Sequence, residues 1–278
     1  MQMLQIMPAM AYLAAAGEGM VFGPNILILP PMNPMHVAEE AATMDVLTGG
    51  NYVLGAGLGY RVPEFTAFGV PLADRAGRFT EAVALMRKLW TGERITHEGK
   101  HFTVRDAGIS LKPTRPGGPP IYVAGLVDSA VKRAARIGDA WLIANASSLA
   151  EIEPRMKVYR EAIAEYRRPP LEFPIARECY VGASYKTAFA EVKAALEYKY
   201  AAYAVWGMTS PLEGTTLEDF AKERFIIGDK ESVKDEILMY QERLGCDHFI
   251  MRSQWPGLDQ EKTVASIKRL GEVFASLP

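Results

Sequence analysis

Three glycines alternate at the end of an apolar run, in NYVLGAGLG (51–59). With no Cβ at Gly55, Gly57 and Gly59, a strand end of this kind lets the backbone approach a flat ligand closely. Tight packing, or a turn needing positive φ, explains the same pattern. It is not a dinucleotide fingerprint, because the Gly-x-Gly-x-x-Gly spacing fails and no helix follows directly. A second stretch, Gly125-Leu126-Val127-Asp128-Ser129, lies where an apolar run gives way to a helical pattern. There the free amides and the dipole of a helix N-terminus suit a phosphate, to which Ser129 adds a hydroxyl. The competing reading is that Asp128 or Ser129 only caps the helix, and an inward Asp128 would repel an anion. Arg75 and Arg78 flank the start of another helical stretch and could reach a phosphate as charge-assisted donors; surface pairing with Asp74 or Glu81 is the alternative.

The remaining reactive side chains form no familiar constellation. No pair among His36, His97, His101 and His248 has metal-ligand spacing with a carboxylate partner, so no metal is expected. His36 falls in the first turn of a helix, where it either serves as a proton donor at a cavity mouth or is structural. There is no Gly-x-Ser-x-Gly elbow and no P-loop, and no catalytic residue is assigned. Trp206, Trp255 and the methionines read as core or pocket wall. Lys and Arg number 31 against 33 Asp and Glu, a net charge of -2, which gives no basic face for nucleic acid. No apolar run is long enough to span a membrane, and the start lacks the basic region of a secretory signal. Cys179 and Cys246 are far apart in sequence, so a disulfide framework is not expected and a reducing cytoplasm is the expected compartment.

Apolar runs at 21–30, 51–59, 119–125, 139–145, 173–183, 225–229 and 246–255 read as strands. Helical patterns alternate with them at 35–47, 79–92 (with Asp74 as cap), 128–138, 148–167, 186–205, 231–245 and 259–277, after a first helix at 5–18. The stretch 96–113 reads as a hairpin. The alternation predicts a parallel sheet with right-handed crossovers, and seven strands, none strongly amphipathic, favour a barrel over an open sheet. No linker divides the 278 residues, so one domain over 1–278 is expected, with insertions near 94–113 and 207–224. Barrel active sites lie at the C-terminal strand ends, which selects 25–30, 55–60, 124–127 and 252–255.

Residues 25–70, 119–142 and 247–262, in that order, resemble the luciferase-like flavin-dependent monooxygenase family. The resemblance implies a TIM-barrel-like (β/α)8 α/β fold with an insertion, usually dimeric, with reduced FMN, or a deazaflavin in one branch, at the mouth. It implies that Pro24-Asn25 lies beside the flavin ring, where relatives often have a strained or cis peptide, and that Gly57, Leu58, Gly59 and Tyr60 lie along the flavin. Arg75 falls at a phosphate-binding arginine of some relatives, and Gly125, Leu126 and Val127 where relatives offer amides to the phosphate. Leu58 stands where the luciferases carry a basic residue. The strand–helix–strand with which relatives begin, and the catalytic histidine usually found on it, have no counterpart here, so an exposed sheet edge and an open pocket wall are expected. The activity implied first is a two-component monooxygenase, oxidising a small organic substrate with O2 and reduced FMN from a partner flavin reductase. Hydride transfer with a deazaflavin coenzyme is the alternative, and a non-catalytic flavin-binding or scaffold protein the third reading.

Overall fold

The computed structural model describes residues 4–206 and 214–278. Helix α1 (Ile6–Ala14) leads into β1 (Leu27–Ile28), α2 (Pro34–Leu47) and β2 (Leu54–Gly57). Then come α3 (Val62–Ala67), α4 (Arg75–Leu89), the hairpin β3 (Ile95–Glu98) and β4 (Thr103–Ala107), β5 (Ile121–Ala124), α5 (Asp128–Ile137) and β6 (Ala140–Leu142). The second half contains α6 (Leu149–Tyr166), β7 (Pro174–Val181), α7 (Tyr185–Val205), α8 (Leu217–Ala221), β8 (Phe225–Gly228), α9 (Lys230–Leu244), β9 (His248–Arg252) and α10 (Gln260–Ala275).

The long apolar runs become strands because both faces are covered. Every residue of β2, β7 and β8 is buried, as parallel strands under flanking helices must be. One parallel sheet has the order β1-β2-β5-β6, and a second the order β8-β7-β9. A bridge between Ile143 and Ile175 joins them. This is the strand–helix succession of a TIM-barrel-like fold. Outward residues such as Ile175, Cys179 and Val181 enter the main core with Ile226, Ile237 and Val273. Inward residues Tyr122, Ala140 and Leu142 cluster instead with Ile250. Both cysteines are free and buried, and burial pushes the Cys246 thiol up to about 12.

The structure differs from the sequence expectations at several points. Residues 60–74 hold α3 and a 3-10 turn at Leu72–Asp74. That turn feeds straight into α4, so Asp74 is already helical (φ -82°, ψ -6°) and its side chain does not cap. Arg75 and Arg78 do not pair with Asp74 or Glu81. Arg75 donates to the Leu72 carbonyl (2.9 Å), and Arg78 to the Pro30 carbonyl (2.8 Å) while stacking over Phe102. Glu81 instead buttresses the hairpin, accepting from the His101 and Phe102 amides beside His97. Of the expected insertion at 207–224, residues 207–213 lie outside the described part, and the rest carries α8.

One half-buried acid gives the fold a pH dependence. Glu236 on α9 is pushed up to about 7 by burial, partly opposed by Arg177. The folded chain therefore holds this proton more tightly than the unfolded chain, and its stabilisation is present below the ordinary glutamate range and lost as pH rises through about 7. Glu236→Gln is expected to flatten that slope and to raise stability at pH 8 by about 1–3 kcal/mol. Urea titrations of both proteins at pH 5 and pH 8 check this; equal differences at the two pH values contradict it.

Candidate functional site

The C-terminal ends of β1, β2 and β5 form one rim. Ile28 is in register with Gly57, Ala56 with Val123, and the Leu29 amide donates to the Gly57 carbonyl. The absence of a side chain matters at three places here. A Cβ on Gly57 would overlap Ile26, one on Gly59 would meet Ile28 at 2.6 Å and Phe65 at 3.0 Å, and one on Gly125 would meet the Ala130 Cβ at 2.9 Å. Gly59 also has φ +72°, which fixes its identity independently. Gly57, Leu58, Gly59 and Tyr60 run out from the C-terminal end of β2, Gly125, Leu126 and Val127 follow the C-terminal end of the neighbouring β5, and Ser129 sits in the first turn of α5. Asn25 lies deeper. Its peptide bond to Ile26 is cis, and it lines a cavity of about 260 Å3 with Phe22, Gly55, Tyr122, Leu142 and His248.

The α5 N-terminus, like those of α1, α3 and α4, has no side-chain cap. Asn33, Ser148, Ser184, Asp229 and Asp259 cap α2, α6, α7, α9 and α10 through their side chains. The N-cap of α5 is Val127, which has no side chain able to do so, and Asp128 is the first helical residue. The capping alternative for Asp128 and Ser129 therefore does not hold, and the first-turn amides face an exposed rim where Val127 is 56% accessible. Cations gather nearby. The Arg133 guanidinium is lowered by burial, and like charges on Arg136 and Arg75 add to that. A phosphorylated ligand fits this set of donors: amides at a helix start, a dipole of the right sign and arginines without an ion-pair partner among the described residues.

The opposite side of the mouth is polar and was not legible as a site. Glu178, on the inward face of β7, is fully buried, yet it receives the Lys199 ammonium, the Trp255 indole N–H, the Asn145 amide and the Tyr200 hydroxyl (3.4 Å). Arg252, at the end of β9, lies 3.8 Å from the same carboxylate and donates to the Tyr203 hydroxyl (3.3 Å). Burial pushes the Lys199 ammonium down to about 8, with the Arg252 charge adding and Glu178 opposing. Burial, and after it the charge of a neighbouring Tyr203, raises the Tyr60 phenol. Beside it the Arg61 guanidinium stacks over the Trp206 ring at 5.0 Å. The C-terminal end of α7 therefore bridges the glycine rim to Arg252.

The sequence model of a family described as luciferase-like monooxygenase matches residues 3–247. The chain belongs to that family. Among curated proteins, the F420-dependent glucose-6-phosphate dehydrogenase of Segniliparus rotundus is 27% identical over 94% of this chain and 81% of its own length. The enzyme of the same name from Beutenbergia cavernae is 37% identical, over 49% of this chain and 41% of its own. Among solved structures, the monooxygenase RslO1 of Streptomyces bottropensis superposes with TM-score 0.86 at 19% identity, covering 98% of this chain and 82% of that one. An F420-dependent secondary alcohol dehydrogenase superposes with TM-score 0.81 at 21% identity, covering 98% and 84%. At these identities the structural likeness establishes the TIM-barrel-like fold of the family.

The histidines lie away from the rim. His36 pairs with Glu40 on the surface of α2 (3.3 Å), His97 with Glu81 in the hairpin (3.1 Å), and His248 with Glu172 (2.8 Å). Among the described residues no three His, Cys, Asp or Glu side chains converge as a metal site, and no helix is long and apolar enough to cross a membrane.

Proposed function

We propose that this chain is a deazaflavin-dependent oxidoreductase, exchanging hydride with a small hydroxylated or carbonyl substrate at the C-terminal mouth of the barrel. The observation that carries this reading is the run of relatives named F420-dependent dehydrogenases that align along nearly the whole chain. A bound deazaflavin would supply the hydride acceptor or donor. Gly57, Gly59 and Tyr60 would line its ring. The amides of 126–129, the Ser129 hydroxyl and Arg75 would hold its phosphate, with Arg133 and Arg136 adding positive charge. The wall formed by Tyr203, Trp206 and Arg252 would orient the substrate and keep water from the reacting carbon.

The expectation of a two-component monooxygenase, with reduced FMN delivered by a flavin reductase, gives way here because the monooxygenase neighbours share the fold at 19–20% identity. A hydride-transferring deazaflavin enzyme needs no reductase. The test is turnover under two regimes. With the deazaflavin F420 and no oxygen, a panel of glucose 6-phosphate and secondary alcohols is expected to bleach the coenzyme's visible absorbance. With FMN, a reductase and oxygen, uptake is expected to match the reductase alone. Protein-dependent oxygen uptake without any F420 turnover contradicts the proposal.

A further inference from the structure

We propose that Arg252, backed by Lys199, binds an oxyanion of the substrate, a carboxylate or a phosphate monoester, at the wall of the mouth facing the glycine rim. The inference rests on the reading of that mouth as the place where substrate is held. Its starting point is a charge imbalance. Among the described residues, two cations, Lys199 and Arg252, meet one carboxylate, Glu178. The Glu178 and Lys199 side chains are 0% and 3% exposed, so solvent does little to compensate the excess positive charge. The Lys199 ammonium is held at its buried end by Glu178, away from solvent.

Arg252 is the one that faces the mouth. It shares the inward face of β9 with Ile250, which packs on the barrel interior, and its side chain is 38% exposed. Nη1 is used by Tyr203 and leans towards Glu178, and among the described residues its other N–H groups have no protein acceptor. A guanidinium pinned on one edge and open on the other presents a planar fork that matches two oxygens of a carboxylate or phosphate. Glu178 acts here as a positioning residue. Donors from Lys199, Trp255, Asn145 and Tyr200 fix its carboxylate, and the carboxylate fixes Arg252. Tyr203 packs against Trp206 (ring centroids 5.8 Å), over which Arg61 stacks at 5.0 Å, so the end of α7 joins this group to the residue that follows Tyr60.

Calorimetric titration tests this without requiring turnover. Inorganic phosphate and, separately, acetate are titrated into the full chain, Arg252→Gln, Arg252→Lys and Arg75→Gln. Far-ultraviolet circular dichroism and melting temperature establish that each variant is folded. Two classes of phosphate site are expected, one lost in Arg75→Gln and the other weakened at least about tenfold in Arg252→Gln. Arg252→Lys is expected to restore part of that loss by keeping the charge without the fork. Phosphate bound more tightly than acetate at the Arg252 site assigns a phosphate monoester, and the reverse order a carboxylate. Superimposable phosphate isotherms for the parent chain and Arg252→Gln overturn the proposal, as does absence of anion binding by the parent chain. The cofactor reading fails separately, through absence of deazaflavin binding by a chain whose Arg252 site still takes the anion.

Discussion

Lys199→Met is expected to lower the stability of the chain by about 3–5 kcal/mol, because it leaves the carboxylate of Glu178 buried with its remaining cation 3.8 Å away. In a domain of this size that is a fall in melting temperature on the order of 10 °C. Methionine preserves the length and most of the volume of the lysine stem, so the loss reports charge rather than a cavity. The neutral donors on Glu178 from Trp255, Asn145 and Tyr200 cannot replace the lost Coulomb term. The double variant Lys199→Met with Glu178→Gln removes both charges and is expected to recover much of the stability, since the penalty belongs to the unpaired ion. Urea denaturation of the three proteins measures this. A single-variant loss below about 1 kcal/mol would mean that water or another group already satisfies Glu178.

Gly125→Val is expected to weaken deazaflavin binding on the order of a hundredfold. Even a Cβ at this position would lie 2.9 Å from the Ala130 Cβ and 3.0 Å from its carbonyl carbon. The branched side chain must therefore push the first turn of α5 away from the rim, taking the amides of 126–129 with it. Trp141, whose indole donates to the Gly125 carbonyl at 3.0 Å, anchors the other side of the turn and prevents a compensating shift of β5. A hundredfold loss is about 2.7 kcal/mol, which losing two or three amide hydrogen bonds to a charged group can supply. Gly271→Ala serves as the control. Nothing lies within 4 Å of a Cβ there, and in the interior of α10 the change is expected to stabilise the chain by about 0.5–1 kcal/mol with no effect on binding. Fluorescence titration with the deazaflavin measures both.

The alternation of strands and helices was legible because each element carries a period that burial enforces. The run 173–183 contains β7, and 186–205 contains α7 but for its first residue, Tyr185. The glycine rim and the turn at 125–129 were legible as well, since both depend on local backbone freedom and on one helix start. Local details failed where a neighbour changed the backbone. Asp74 lost its capping role to the preceding 3-10 turn, and the N-cap of α5 fell on Val127 rather than on Asp128 or Ser129. The wall around Glu178 was hidden for a different reason. Its partners come from the segment after β6, from α7, from the end of β9 and from the segment after it, and only sheet register and helix packing bring Asn145, Lys199, Arg252 and Trp255 to one carboxylate. The one available signal was the pair Arg177-Glu178 inside an otherwise apolar strand. Charges buried at such a place require partners, even though the sequence does not say which.

The central claim, that the β1-β2-β5 rim and the uncapped start of α5 hold a deazaflavin rather than FMN, is tested most directly by competitive titration. The full chain is titrated with oxidised F420 and with FMN at equal ionic strength, with binding followed by fluorescence and repeated in the presence of the other ligand. Saturable F420 binding that FMN displaces only at a large excess, and that is weakened in Arg75→Gln, is the predicted result. FMN binding with no measurable F420 binding would contradict it.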